Sequence, residues 1–272
     1  TKRILAIIGS TEQSFYSDVL RGMQDAAFVD GYDILIATTR NDPDHEMHLL
    51  GMLFSRAVDG VVLLAPKLDS KTISDLSKRY RIAICLERLD INDILCVTID
   101  NERAGFDATS YLIGKGRRRI GLITTEVRSQ SSVDRENGYM RALNAANIPF
   151  DPDLVYYGDY DADTGTRGCE ALINLPNKPD AIISISDTIS IGAMTYAVQH
   201  GITVGKDLLF FGFDNIAYSH MFMPRLSTVE QPCYLQGKTV IEKLIANMKT
   251  DEPDKSTYML PHSLILREST GD

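Results

Sequence analysis

The sequence predicts an α/β fold built from two similar doubly wound parallel-sheet lobes, joined by several crossings, with a ligand cleft between them. Three observations predict it. The first is internal repetition. Ile4-Leu5-Ala6-Ile7-Ile8-Gly9 is echoed by Ile120-Gly121-Leu122-Ile123-Thr124, and Tyr32-Asp33-Ile34-Leu35-Ile36-Ala37 by Leu154-Val155-Tyr156-Tyr157. Asp59-Gly60-Val61-Val62-Leu63-Leu64 is echoed by Asp180-Ala181-Ile182-Ile183-Ser184-Ile185, and Ile82-Ala83-Ile84-Cys85-Leu86 by Leu208-Leu209-Phe210-Phe211-Gly212. The offset is about 116 to 126 residues each time, a domain length rather than a solenoid period. The second is that these strands are continuous apolar runs, as strands covered on both faces are. The third is their regular alternation with helical patterns, the βαβα signature of a doubly wound fold. Two such lobes imply a cleft suited to a small molecule.

The elements follow in order. After the first strand, Phe15, Tyr16, Val19, Leu20, Met23, Ala26 and Ala27 recur at three- and four-residue spacings, an amphipathic helix stopped by Gly31. Met47, Leu49, Leu50, Leu53 and Phe54 form the next helix, and residues 70–78 a shorter third. Leu95-Cys96-Val97-Thr98-Ile99-Asp100 is an additional strand, and the helix over 103–113 leads toward the second lobe. Residues 231–247 are helical in pattern, and Ser263-Leu264-Ile265-Leu266 is a last strand. No Pro-, Gly- or Ser-rich tether separates the halves. The expected division is 1–112 with 233–260 as the N-terminal lobe, and 113–232 with 261–272 as the C-terminal lobe.

Composition narrows the function. The chain of 272 residues is 44% hydrophobic and 24% charged, the balance of a folded protein. Its formal charge of −9 makes it a poor stand-alone binder of phosphate backbones. Cys85, Cys96, Cys169 and Cys233 lack metal or redox spacing and read as reduced thiols. With no apolar run near 18 residues and no leader pattern, the expectation is a cytoplasmic protein without a membrane partner. The first strand follows Thr1-Lys2-Arg3 at once, so either the natural protein begins here or an upstream segment is missing.

Catalytic and cofactor motifs are lacking, and no cofactor is expected. There is no G-x-G-x-x-G after a strand, no phosphate-binding Walker loop and no G-x-S-x-G elbow. His45 and His48 stand three apart, not the four of a zinc-protease helix, and read as a solvated helix start. Arg117-Arg118-Arg119 reads as a solvated turn. What remains are polar residues at strand ends: Asp100, Asp187, Asp214 and the segment around Arg135. In open α/β sheets, ligands lie outside the carboxyl ends of strands. A carboxylate accepts from adjacent hydroxyls and a guanidinium donates in a fork, chemistry that suits a polyol. Aspartates in such places also cap the following helix, and both readings stand.

At these residues the sequence resembles the LacI/GalR family of bacterial transcription regulators and, more broadly, the type I periplasmic-binding-protein fold. The resemblance covers the whole chain. It rests on Phe15-Tyr16 with Arg21-Gly22, Val58-Asp59-Gly60-Val61-Val62, Thr98-Ile99-Asp100-Asn101 and Gly116-Arg117-Arg118-Arg119-Ile120. It continues through Arg135 with Gly138-Tyr139, Gly158-Asp159-Tyr160 and Phe211-Gly212-Phe213-Asp214-Asn215. Leu226-Ser227-Thr228-Val229, Gln231-Pro232 and Leu266-Arg267-Glu268-Ser269 complete it. It implies that Asp100, Arg135 and Asp214 bind effector hydroxyls, that Tyr160 and Phe15 offer aromatic faces to the ligand, and that Gln231 is a polar residue at a lobe crossing. Ser186-Asp187 stands where the family usually has Asn-Asp, and Gln13-Ser14 where it has Asn-Pro, so ligand hydroxyls would be read differently here.

The resemblance further implies a homodimer that senses a sugar-like effector and couples closure to operator DNA through an N-terminal helix-turn-helix headpiece of about 60 residues absent from this sequence. A free-standing solute receptor for transport is the alternative function. An enzyme using two carboxylates for glycoside chemistry finds no supporting nucleophile or metal motif.

Overall fold

The computed structural model describes residues 1–272, and the chain divides into two compact units. Unit 1 comprises Thr1–Ile99 with Pro232–Pro261, and unit 2 comprises Asp100–Gln231 with His262–Asp272. The division falls at Ile99/Asp100, whereas the sequence pattern suggested residue 112. The physical reason is the helix Asn101–Gly114, whose backbone packs intimately on a helix of unit 2, as described below.

Unit 1 is a six-stranded sheet, all parallel, in the order β11-β5-β4-β3-β1-β2. Its strands are β1 (Arg3–Ile8), β2 (Asp33–Thr38), β3 (Gly60–Leu63), β4 (Ile82–Cys85), β5 (Leu95–Ile99) and β11 (Thr257–Leu260). Its helices are α1 (Tyr16–Val29), α2 (Pro43–Phe54), α3 (Ser70–Ser77) and α9 (Cys233–Met248). The two-residue period of a strand explains the apolar runs. Ile4, Ala6 and Ile8 pack with α1 and α9 residues such as Val19, Met23, Val240 and Leu244 on one face. Leu5 and Ile7 pack with Leu50, Leu53 and Ile73 of α2 and α3 on the other.

Unit 2 repeats the plan in the order β12-β10-β9-β8-β6-β7. Its strands are β6 (Ile120–Thr125), β7 (Val155–Gly158), β8 (Ala181–Ser184), β9 (Leu209–Phe213), β10 (Ser227–Glu230) and β12 (Ser263–Ile265). All pair in parallel except β10 with β12, which is antiparallel. Its helices are α4 (Asn101–Gly114), α5 (Gln130–Ala145), α6 (Ala162–Ile173), α7 (Asp187–Gln199) and the single turn α8 (Tyr218–Met221). Helix α4 packs on α5, and α6 on α7.

Helix starts follow local chemistry. Asp100, Ser129, Asp161 and Ser186 each accept a hydrogen bond from a backbone N–H of the first turn of α4, α5, α6 and α7. These caps place the helix N-termini at the carboxyl ends of the preceding strands.

Candidate functional site

In unit 2 the connection leaving β6 runs to β7 on one side and the connection leaving β8 runs to β9 on the other, so the topological switch point lies between β6 and β8. That is where an open α/β sheet places a ligand. Arg135 on α5 reaches this point. Its Nη1 donates to the Ile185 carbonyl just past β8 at 2.7 Å, and its Nε donates to Asn101 Oδ1 on α4 at 2.9 Å. The guanidinium carbon lies 3.7 Å from the ring centroid of Phe213, a cation–π contact from the end of β9. Arg135 is buried.

The approach of α5 to α4 depends on two glycines. A Cβ on Gly138 would lie 2.2 Å from the Glu102 carbonyl oxygen. One on Gly105 would lie 2.5 Å from the Arg135 carbonyl oxygen. Backbone-to-backbone contact at this crossing therefore sets the position of Arg135.

Asp214 follows β9 and faces Arg135, with Nη1 to Oδ1 at 3.9 Å. Gln231 Nε2 donates to the same Oδ1 at 2.6 Å. Asp214 holds a φ of 109° and Asn215 one of 54°, both positive, a conformation that costs free energy unless the surroundings impose it. The surroundings do so: the Asp214 N–H donates to the Val229 carbonyl, and Arg267 Nη2 donates to Asn215 Oδ1 at 2.8 Å. Arg267 Nη1 also donates to the Leu226 carbonyl, while Ser269 Oγ bonds both the Phe210 carbonyl and the Ser227 N–H. The Arg267-Glu268-Ser269 segment is thus a brace across β9 and β10 beneath Asp214.

Asp187 is fully buried at the start of α7. Thr228 Oγ1 donates to its Oδ1 at 2.6 Å. Its Oδ2 accepts from the Ile216 N–H at 3.0 Å and from the Ser219 hydroxyl. Both carboxylate oxygens are therefore committed to holding the loop 216–219 against β10. The cap of α7 is Ser186, whose Oγ accepts from the Ile189 N–H at 3.3 Å, so the capping role open to Asp187 in the sequence falls one residue earlier.

Burial raises the carboxyl of Asp214 to about 7, opposed by Arg135 and the Gln231 hydrogen bond and reinforced by the charge of Asp187. Burial likewise raises Asp187 to about 6, against its three hydrogen bonds and the charge of Arg267. The folded chain keeps the Asp214 proton up to about pH 7, whereas an unfolded aspartate loses it near pH 4. Between those limits the folded state binds more protons, so this contribution to stability is present in full below about pH 4, declines as pH rises, and is gone above about pH 7. Urea midpoints at several pH values from 5 to 8 should show the wild type losing stability relative to Asp214→Asn as pH rises. A constant difference between the two proteins would refute it.

The structure brings Arg135, Asp214 and Gln231 together, with Ser186 and Asp187 on the adjoining β8–α7 turn. Asp100 is exposed and caps α4 through the Arg103 N–H at 2.8 Å. Tyr160 is half-buried in the turn between β7 and α6. Phe15 belongs to unit 1, where it precedes α1 with its ring 4.4 Å from that of Tyr16. Sequence reasoning missed Asn101 and Phe213 as the partners that hold Arg135. Both sit inside the quoted segments Thr98-Ile99-Asp100-Asn101 and Phe211-Gly212-Phe213-Asp214-Asn215, the only signal they gave. Ser219 and Thr228, which hold Asp187, are 32 and 41 residues away from it and had no local signature.

Comparison with known proteins agrees with this architecture. The family of periplasmic binding proteins and sugar-binding domains of the LacI family matches residues 1–267. The chain is 30% identical to catabolite control protein A of Priestia megaterium over 272 residues, covering 99% of this chain and 82% of that protein. It is 29% identical to the HTH-type transcriptional repressor CytR of Escherichia coli K12, covering 99% of this chain and 80% of that protein. Among solved structures, a complex of the transcriptional regulator CelR with cellobiose superposes with a TM-score of 0.88 at 27% identity, covering 99% of this chain and 84% of that one. No helix is long and apolar enough to cross a membrane. A match over nearly the whole chain, joined to a doubled parallel sheet with a buried arginine–aspartate pair at its switch point, makes this protein the effector-binding domain of a LacI-family transcription regulator.

Proposed function

We propose that unit 2 binds a hydroxyl-rich small molecule, a sugar or sugar derivative, at the carboxyl ends of β6, β8 and β9. The observation that carries this reading is the buried Arg135–Asp214 pair with capacity to spare. Gln231 and Arg135 engage Asp214 Oδ1, while Oδ2 makes no hydrogen bond within the protein. Arg135 uses Nε and Nη1 and keeps Nη2. A vicinal diol would complete both groups, one hydroxyl donating to Oδ2 and the other accepting from Nη2. Asp100, Tyr160 and Ser186 are proposed as further ligand contacts, and Gln231 as the residue that orients Asp214. Asp187, its oxygens already engaged, is proposed as a positioning residue. The cellobiose complex of CelR shows that a similar chain takes a saccharide.

The ligand would act by binding one conformation of the regulator better than another, since only differential affinity shifts an equilibrium. In a homodimer that shift would change operator affinity through a helix-turn-helix segment of the kind named in the relatives. The names of those relatives are the support for regulation over a transport receptor.

Native mass spectrometry of the protein purified from cell extract would identify a retained ligand and the subunit number together. Affinity for that ligand is expected to fall by about tenfold or more in Arg135→Lys, which keeps the charge but loses the fork, and in Asp214→Asn. Unchanged affinity in both variants would sink the reading.

A further inference from the structure

Unit 2 holds a cavity at the opposite end of its sheet from Arg135. It encloses about 570 Å³, a size that suits a small ligand. It lies between the first residue of β6, the later turns of α5 and the connection 147–154. Its walls are mainly apolar: Tyr139 and Leu143 from α5, then Ile148, Pro149, Phe150 and Pro152.

Two aromatic rings shape it. Tyr139 and Phe150 meet edge to face, with centroids 6.5 Å apart and planes at 78°. The Tyr139 hydroxyl is already used, donating to the Ile120 carbonyl at 2.7 Å, so its ring is held in place. Phe150 is 45% exposed, a large aromatic face open toward solvent at a cavity wall.

The charged groups on the lining are Arg118, Arg119 and Asp151. Arg119 Nη1 and Nη2 both contact Asp151 Oδ2, at 3.3 and 3.2 Å, and these two charges cancel. Arg118 has no carboxylate partner for its guanidinium. Its one side-chain hydrogen bond is to the Ile113 carbonyl at 3.5 Å, and the side chain is exposed. The cavity therefore combines apolar and aromatic walls with one uncommitted fork of positive charge.

We propose that this cavity is a second small-molecule site, for a compact aromatic carboxylate whose ring packs on Phe150 and Tyr139 and whose carboxylate pairs with Arg118. Flat rings favour edge and offset contact with aromatic walls. A guanidinium matches a carboxylate through two parallel hydrogen bonds. A simple inorganic anion would leave the apolar walls unused, and a neutral aromatic would leave Arg118 unused. The site is independent of the effector-binding reading, although Tyr139 lies four residues after Arg135 on α5, and its occupant would bear on the same helix.

The test uses 2-naphthoate and its uncharged analogue 2-naphthylmethanol, titrated calorimetrically into the full chain. Naphthoate is expected to bind with a sub-millimolar Kd. Arg118→Ala is expected to weaken naphthoate by about tenfold and to leave the alcohol unchanged. Ile148→Trp, which fills the cavity, should abolish both, and Arg135→Lys should affect neither. Failure of naphthoate to bind at millimolar concentration would overturn the proposal. So would equal affinity in wild type and Arg118→Ala, or loss of binding in Arg135→Lys, which would assign the ligand to the effector site instead.

Discussion

Replacing Asp187 by leucine is expected to destabilise unit 2 by about 3–5 kcal/mol, because the isosteric apolar side chain strands three buried donors at once. The Ile216 N–H, the Ser219 hydroxyl and the Thr228 hydroxyl all end on this carboxylate. Two of them tie down the loop that follows Asp214, so the left-handed backbone at Asp214 and Asn215 would lose a constraint together with the stability. Asp187→Asn keeps one acceptor oxygen and should cost less, about 1–2 kcal/mol. Thermal and urea unfolding of the two variants checks this order. If Asp187→Leu melts within a degree of the wild type, the carboxylate is not the anchor described here. A second readout separates anchoring from ligand contact. Asp187→Asn should lower effector affinity less than Asp214→Asn does, since Asp187 holds the loop and Asp214 offers the free oxygen.

The second large effect is expected at Gly138. A valine there would place its Cβ 2.2 Å from the Glu102 carbonyl oxygen and 2.6 Å from the Phe106 nitrogen. Both are backbone atoms of α4 and have no rotamer through which to retreat. The helices must separate, at a cost of about 3 kcal/mol or more. Separation also pulls α5 from α4, breaking the Arg135–Asn101 hydrogen bond. Loss of effector affinity should therefore accompany the loss of stability in Gly138→Val, although residue 138 itself is not a proposed ligand contact. A control on the same helix is Asn144→Ala, at an exposed position near its end, which should change neither property. Wild-type melting and affinity in Gly138→Val would show that the crossing has more room than the structure describes.

Much of the fold was legible because parallel strands buried on both faces must be apolar throughout. Ile4 to Ile8 and Phe210 to Phe213 announce themselves as strands without any partner in view. The four repeated runs correspond to β1 with β6, β2 with β7, β3 with β8, and β4 with β9. Two further correspondences were not legible as repeats. Strand β5 has its counterpart in β10, where Ser227 and Thr228 are buried polar residues whose hydroxyls are satisfied by Thr270 and Asp187. Such a strand carries no apolar run to recognise. Strand β11 was missed altogether. It is an outer strand whose residues are alternately exposed and half-buried, and its Thr257–Leu260 run is short.

The residues of the proposed site were visible in the sequence, but their wiring was not. Arg135, Asp214 and Gln231 stood out as polar residues in recognisable segments, yet nothing local distinguished Asp187 from a ligand contact. Its role is decided by Ser219 and Thr228, which the chain brings back only after β9 and β10 have formed. The same holds for the apolar cavity, whose residues at 118–120, 139–143 and 147–154 form separate, unremarkable stretches of sequence.

The sequence by itself determined the α/β class, the doubling, the strand-to-helix alternation and the chemical character of the residues at the strand ends. These depend on burial period and on capping, which act over a few neighbouring residues. Only the tertiary structure decided which carboxylate keeps a free oxygen, which helix the backbone of α4 rests against, and which arginine of the cavity is left without a carboxylate partner. Those outcomes depend on distances between segments far apart in the chain, and a hydrogen bond is made or lost within a few tenths of an ångström.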